Sequence, residues 1–106
     1  EGGRDIILMA IFRMIKECCV NAVKHSMCNK LYLSVKTEAQ NCAIFIRDNG
    51  IGFCLEEANE KSDKHFGLCL IREQVDLLKG KIDIQSDINS GTNIRIDIPV
   101  EIIRGN

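Results

Sequence analysis

Much of what would label a chain of this size is missing from it. Lys and Arg number 14 against 15 Asp and Glu, a net charge of -1, so no surplus of one sign marks a nucleic-acid or membrane surface. No apolar run is long enough to span a bilayer, because Arg13, Lys16 and Glu17 interrupt the most hydrophobic segment, and no signal-peptide pattern is present. Six cysteines occur, yet none forms a Cys-x-x-Cys pair and their spacings match no common metal motif. Cys18 and Cys19 are adjacent within a helical pattern and Cys42 alternates with apolar strand residues, the placement of small reduced hydrophobes in a cytosolic core. Internal repeats, low-complexity sequence and the Gly-x-x-x-x-Gly-Lys-Ser/Thr phosphate loop are absent as well. A nucleotide, if bound, must be held another way.

What is present reads as one domain over residues 1–106, a length that supports one sizeable core. The opening Glu1-Gly2-Gly3 runs almost at once into a helical pattern, which reads as a piece cut from a longer chain. From about Asp5 to Met27, apolar residues at Leu8, Ile11, Ile15, Cys19 and Ala22 recur every three or four positions and predict a long amphipathic helix. Leu31, Leu33 and Val35 alternate with Tyr32, Ser34 and Lys36; after a polar turn at Glu38 to Asn41, a second strand runs from Cys42 to Asp48. A second helix is predicted from Gly67, with Leu68, Ile71, Val75 and Leu78 on one face and Gly80 as its stop. Ile82 and Ile84, a turn at Asn89-Ser90-Gly91, and a strand through Ile94, Ile96, Ile98 and Val100 make a closing hairpin. Strands with one apolar and one polar face predict a sheet covered on one side only. The fold class is therefore a two-layer α/β sandwich, its order lacking the regular alternation of a doubly wound sheet.

Three local patterns bear on chemistry. Asp48-Asn49-Gly50-Ile51-Gly52-Phe53 puts a carboxylate and two glycines at a strand end. That combination suits a flat, polar-edged ligand such as adenine, whose exocyclic amine the Asp can accept from; the same residues also fit a strand followed by an Asn-Gly turn. Glu17, Asn21 and Lys24 project from one side of the first helix. A carboxylate, an amide oxygen and an ammonium there could meet a metal-bound phosphate chain, or form a solvated ladder. At Gly67 the free N–H groups of a helix start offer an anion site, or an ordinary junction. Thr92 after Gly91 adds a hydroxyl that plain hairpin chemistry would also supply.

Taken together and in order, these segments resemble the ATP-binding domain of bacterial sensor histidine kinases, in the superfamily that includes gyrase, Hsp90 and MutL. Glu17 to Ser26 resembles the N box, Asp48 to Phe53 the first glycine box, His65-Phe66-Gly67-Leu68 with Arg72-Glu73 the second, and Gly91-Thr92 with Ile94 to Pro99 the closing box. The Asn-Ala-x-Lys-His-Ser and His-Phe-Gly-Leu forms are most similar to kinases of the nitrate-sensing and membrane-fluidity-sensing group. The resemblance implies a Bergerat-type sandwich with helices on one face of a mixed, largely antiparallel sheet. It also implies ATP and Mg²⁺ as cofactors, and transfer of the γ-phosphoryl to a histidine on a separate dimerisation domain of a homodimeric parent. Relay to a response regulator would follow, with no nucleic-acid partner.

By the same resemblance Asp48 accepts from the adenine amine, Gly50, Gly52 and Phe53 shape the base pocket, Asn21 coordinates Mg²⁺, and Glu17 helps position the metal or assists proton removal, which makes Glu17 and Asn21 the catalytic pair. Lys24 and His25 approach the phosphates or ribose. Residues 54–66 form a lid that includes His65, Gly67 and Leu68 lie at its hinge, and Thr92 sits near the phosphates. The implied placement is a cytoplasmic domain of a bacterial parent, with any membrane anchor outside these residues. His65, Gln74 and Cys54 depart from the commoner pattern, in which a glycine, an arginine and a small polar or acidic residue stand. Alone, the domain is expected to bind ATP and turn it over poorly. A serine kinase of the anti-sigma type, and an interaction module that keeps the fold but not the nucleotide, stand as alternatives.

Overall fold

The opening helix, α1 (Gly2–His25), is proline-free and carries Asp5 in its first turn, where a negative charge faces the positive end of the helix dipole. In the computed structural model, which describes residues 2–25, 27–51, 66–86, 89 and 91–104, its core face is Ile11, Met14, Cys18 and Ala22, with Ile7 and Ile15 packed alongside. The face predicted from the sequence is turned by part of a turn: Leu8 is 45 % exposed and Cys19 is half-buried, while Met14 and Cys18 take the centre. Both stripes have helical spacing; contact with the sheet selects between them. The helix also ends two residues earlier than predicted, at His25, and Met27 adopts a left-handed φ of 55° that no helix continues through.

The strands β1 (Leu31–Glu38) and β2 (Asn41–Asp48) form the expected hairpin, closed at Ala39-Gln40 with Ala39 at φ 52°. Helix α2 (Phe66–Leu77) buries Ile71 and Val75 and leads into β3 (Lys81–Ser86). Strand β4 (Thr92–Pro99) follows, and α3 (Val100–Arg104) ends the described chain. The sequence reading carries the last strand through Val100; the strand stops at Pro99, and Val100, whose N–H still donates to the Gln40 carbonyl at 2.8 Å, opens the last helix. The strand order is β1-β2-β4-β3, and all three pairings are antiparallel. The expectation of a mixed sheet thus has no parallel neighbours among the described strands.

Ile44, Ile46, Ile96 and Ile98 face the helices and are at most 2 % exposed, as are Met14, Ile71 and Val75. A fully buried side chain of this kind contributes roughly 2 kcal/mol through apolar transfer. Edge strand β1 is the exception. Leu31, Leu33 and Val35 lie on the helix side opposite Asp48, Ile46 and Ile44, yet Leu33 and Val35 are half exposed because no described helix covers them.

The turn after α2 fixes the distance between helix layer and sheet. Gly80 N–H donates to the Val75 carbonyl (2.9 Å) and Lys79 N–H to Asp76 (3.0 Å), the paired bonds of a Schellman cap. The left-handed residue of that cap is Lys79, φ 57°, and not the glycine named as the stop. Gly80 serves close packing: a Cβ there would lie 2.5 Å from the Asp97 carbonyl oxygen and 2.7 Å from Ile98 Cδ1.

Candidate functional site

One row of the sheet gathers the candidate residues. Leu31, Asp48, Thr92 and Ser86 are in register across all four strands at one end. In that row Asp48 and Thr92, 7 % and 6 % exposed, are the only buried polar residues among those described. Residues 42, 44, 46 and 48 share one face of β2 by the two-residue period, so Asp48 turns toward the helix layer as Ile44 and Ile46 do. A carboxylate there is expensive unless its oxygens find donors. Asp48 Oδ1 accepts from the Gly50 N–H at 2.8 Å, which leaves Oδ2 without a partner among the described residues.

The loop before β4 closes on the same point. Asn89 and Gly91 are both left-handed, with φ of 67° and 77°, and the Asn89 N–H donates to the Ile51 carbonyl. A Cβ on Gly91 would run into the Asp48 carbonyl oxygen, so positive φ and close approach both require glycine at this position. Thr92 Oγ1 shares a hydrogen bond of 2.8 Å with Ser86 Oγ, and Ser86 Oγ donates to the Gly91 carbonyl at 3.1 Å. The sequence reading names Thr92 but misses Ser86, which only the register of β3 on β4 reveals.

The helices bring their parts to this end as well. Segment 27–30 joins the C-terminal end of α1 to Leu31, so the last turns of α1, with Glu17, Asn21 and Lys24, lie near the Asp48 row. Strands β2 and β3 run the same way with β4 between them. Helix α2 descends from the Asp48 end to Lys81, which puts its N-terminus, with Gly67 and Leu68, at the same end. At roughly 100° per residue, Glu17, Asn21 and Lys24 flank the buried Cys18 stripe on one side, and Phe12, Cys19 and Val23 flank it on the other. Glu17 and Asn21 are half-buried, and Lys24 is exposed. Phe12 and Val23, on the other flank, are 66 % and 67 % exposed.

Asp48, Gly50, Thr92, Glu17, Asn21 and Lys24 thus gather at one end of the molecule. His25 closes α1, and the backbones of Gly67 and Leu68 open α2. Gly52, Phe53, Cys54, His65 and the rest of the predicted lid up to residue 65 lie outside the described residues. A shallow concavity of about 670 Å³ lined by Tyr32, Ser34, Phe45, Arg47 and Asn93 opens on the other side of the sheet, facing away from both helices. It is distinct from the Asp48 site, although Asp48 and Asn49 border its rim.

The thiols match the reading of the cysteines as hydrophobes. Burial pushes Cys18 up to about 12, with smaller contributions from Cys19 and Glu17, and raises Cys19 and Cys42 as well. Such thiols are protonated and poor nucleophiles. Among the described residues, no helix is long and apolar enough to cross a membrane.

Comparison with known proteins bears on the same segments. The family described as histidine kinase-, DNA gyrase B-, and HSP90-like ATPase matches residues 7–102. The chain is 42 % identical over 94 residues to the signal transduction histidine-protein kinase/phosphatase DegS of Bacillus subtilis (strain 168), covering 89 % of this chain and 24 % of that protein. It is 33 % identical over 91 residues to the sensor histidine kinase YdfH of the same organism, covering 85 % and 22 %. The fold superposes on the Acinetobacter baumannii histidine kinase AdeS with a TM-score of 0.74 at 26 % identity, over 87 % of this chain and 46 % of that one. The chain spans about a quarter of the length of the curated relatives it matches.

Proposed function

Because the chain belongs to the family of histidine kinase-, DNA gyrase B- and HSP90-like ATPases, we propose that it is the ATP-binding catalytic domain of a two-component sensor histidine kinase and that its nucleotide lies at the Asp48 end. The observation that carries this reading is the Asp48 carboxylate, buried, with one oxygen held by Gly50 N–H and the other open. A fixed acceptor in a dry wall recognises a donor at the edge of a flat ring, which for adenine is the exocyclic amine. Gly50 has no side chain to crowd the ring, and by the family resemblance Gly52 and Phe53, which lie outside the described residues, would complete the base pocket.

The polar flank of α1 would take the phosphates. Asn21 and Glu17 present an amide and a carboxylate oxygen, half-buried and with no hydrogen bond or ion pair among the described residues. This hard-oxygen set suits Mg²⁺, which takes one or two protein oxygens and completes its shell from water and phosphate. Bound there, the ion would neutralise phosphate charge. Lys24 would contact phosphate as a point charge, and His25, His65, Gly67, Leu68 and Thr92 would border the phosphate end. In the parent, a histidine nitrogen of the dimerisation domain would attack the γ-phosphorus. The bond from that phosphorus to the bridging oxygen would break, and ADP would leave with the electron pair. Glu17 would accept the proton the histidine loses. The residues of this chain supply positioning and electrostatics, the main terms in phosphoryl transfer. The phosphohistidine would then pass its group to a response regulator.

Calorimetric titration with ATP, with and without Mg²⁺, tests the reading. The chain should bind, and Asn21→Ala should remove the Mg²⁺ dependence while ADP binding without metal persists. Mg²⁺ dependence that survives in Asn21→Ala would move the ion to other residues.

A further inference from the structure

Asn49, between the base acceptor and the first glycine, makes four hydrogen bonds to one short segment. Its Oδ1 accepts from the backbone N–H groups of Asn29 (3.1 Å) and Lys30 (3.0 Å), and its Nδ2 donates to Asn29 Oδ1 (2.6 Å). Its own N–H donates to the Lys30 carbonyl (3.3 Å). The orientation of the amide follows from chemistry: reversed, its NH₂ would meet two N–H donors. A residue present only to make a turn bonds locally. The side-chain bonds of Asn49 instead reach across 19 and 20 residues of sequence.

The segment it grips is the connection from α1 to β1. Cys28 Sγ also donates weakly to the Ala22 carbonyl (3.5 Å), tying the segment to the last turns of the helix. Asp48 turns into the helix layer while its neighbour reaches for residues 29 and 30, so one dipeptide holds both halves of the site. We infer that Asn49 is a positioning residue for nucleotide binding: by clamping the α1–β1 connection to the end of β2, it sets Asp48 relative to Asn21 and Lys24. It touches no ligand. The inference rests on the nucleotide reading above.

A ligand that spans both halves feels the clamp, and a ligand of one half does not. The chain and its Asn49→Ala and Asn49→Asp variants would be titrated with ADP and, separately, with Mg²⁺-tripolyphosphate, folding being checked by circular dichroism. Asn49→Ala should weaken ADP about tenfold and tripolyphosphate less than about twofold, because preorganisation is lost only between the subsites. Asn49→Asp keeps both acceptor bonds and should stay within about threefold of the unaltered chain for ADP. Folded Asn49→Ala that binds ADP normally overturns the inference. Equal losses for both ligands, or Asn49→Asp as weak as Asn49→Ala, overturn it too. If Asn49→Ala fails to fold, Asn29→Ala, which removes one of the four bonds, carries the same comparison with an expected ADP loss of about threefold. An unaltered chain that binds neither ligand fails the nucleotide reading itself, whereas normal binding with an indifferent Asn49 fails only the clamp.

Discussion

The two faces of the sheet each carry a polar cluster, and the clusters are built on opposite terms. On the open face Arg95 donates to Glu38 Oε2 at 2.8 Å and to both oxygens of Asp97 at 2.9 and 3.1 Å, while Lys36 holds the other Glu38 oxygen at 3.1 Å. Both cations also sit over the Phe45 ring, 5.1 Å from its centroid for Lys36 and 4.9 Å for Arg95. Every charge in this cluster is answered, and all of it is reached by water. On the helix face Asp48 is buried with one oxygen unspent, and Asn21 and Glu17 keep theirs. Surface pairs such as those of Arg95 contribute little net stability. Buried polar groups that hold capacity in reserve lower stability until a ligand arrives. The proposed site lies where polar atoms are enclosed and incompletely used, not where charge is densest.

The comparison breaks most severely if Asp48 proves dispensable. Asp48→Asn should leave the fold intact, since an amide oxygen can still accept from Gly50, but its NH₂ would then meet the adenine donor. ADP affinity should fall about a hundredfold by calorimetry, and unchanged affinity would remove Asp48 from the site. Next comes Gly91→Ala, which combines a left-handed φ with a Cβ placed against the Asp48 carbonyl. It should cost about 2 kcal/mol in urea unfolding, and an unmoved midpoint would contradict the close approach. Glu38→Gln should have the smallest effect. Hydrogen bonds from Lys36, then Arg95, hold the Glu38 carboxyl below its ordinary value of 4.5, against an opposing desolvation. Since the folded value is depressed, its contribution is full above the ordinary value and is lost as pH falls through the folded one. The variant should therefore trail the unaltered chain slightly at neutral pH and match it in acid, with ADP affinity unchanged throughout. A gap that widens on acidification would reverse the sign.

Most of this arrangement could be read from residue order. Alternation located all four strands, and helical spacing located α1 and α2, because each element buries one face and its period records that face. Sequence does not encode which of two apolar stripes on α1 meets the sheet; Met14 and Cys18 took the place expected for Leu8 and Cys19. Nor does alternation report cover, so the apolar row of β1 predicted a buried face where no described helix reaches. The short α3 was missed because Val100 continues the strand period across Pro99. Within the candidate site, Asp48, Asn21 and Thr92 stood out by chemical type at element ends. Asn49 and Ser86 did not, because their partners lie elsewhere in the chain or depend on register.

Cys18 has a practical use that follows from its burial beneath α1. At 3 % exposure and with its proton held up to about 12, its sulfur is closed to alkylating reagents while α1 rests on the sheet. Its rate of alkylation therefore times the lifting of that helix. With the other thiols replaced, mass spectrometry of the labelled chain would show how much a bound nucleotide slows that opening.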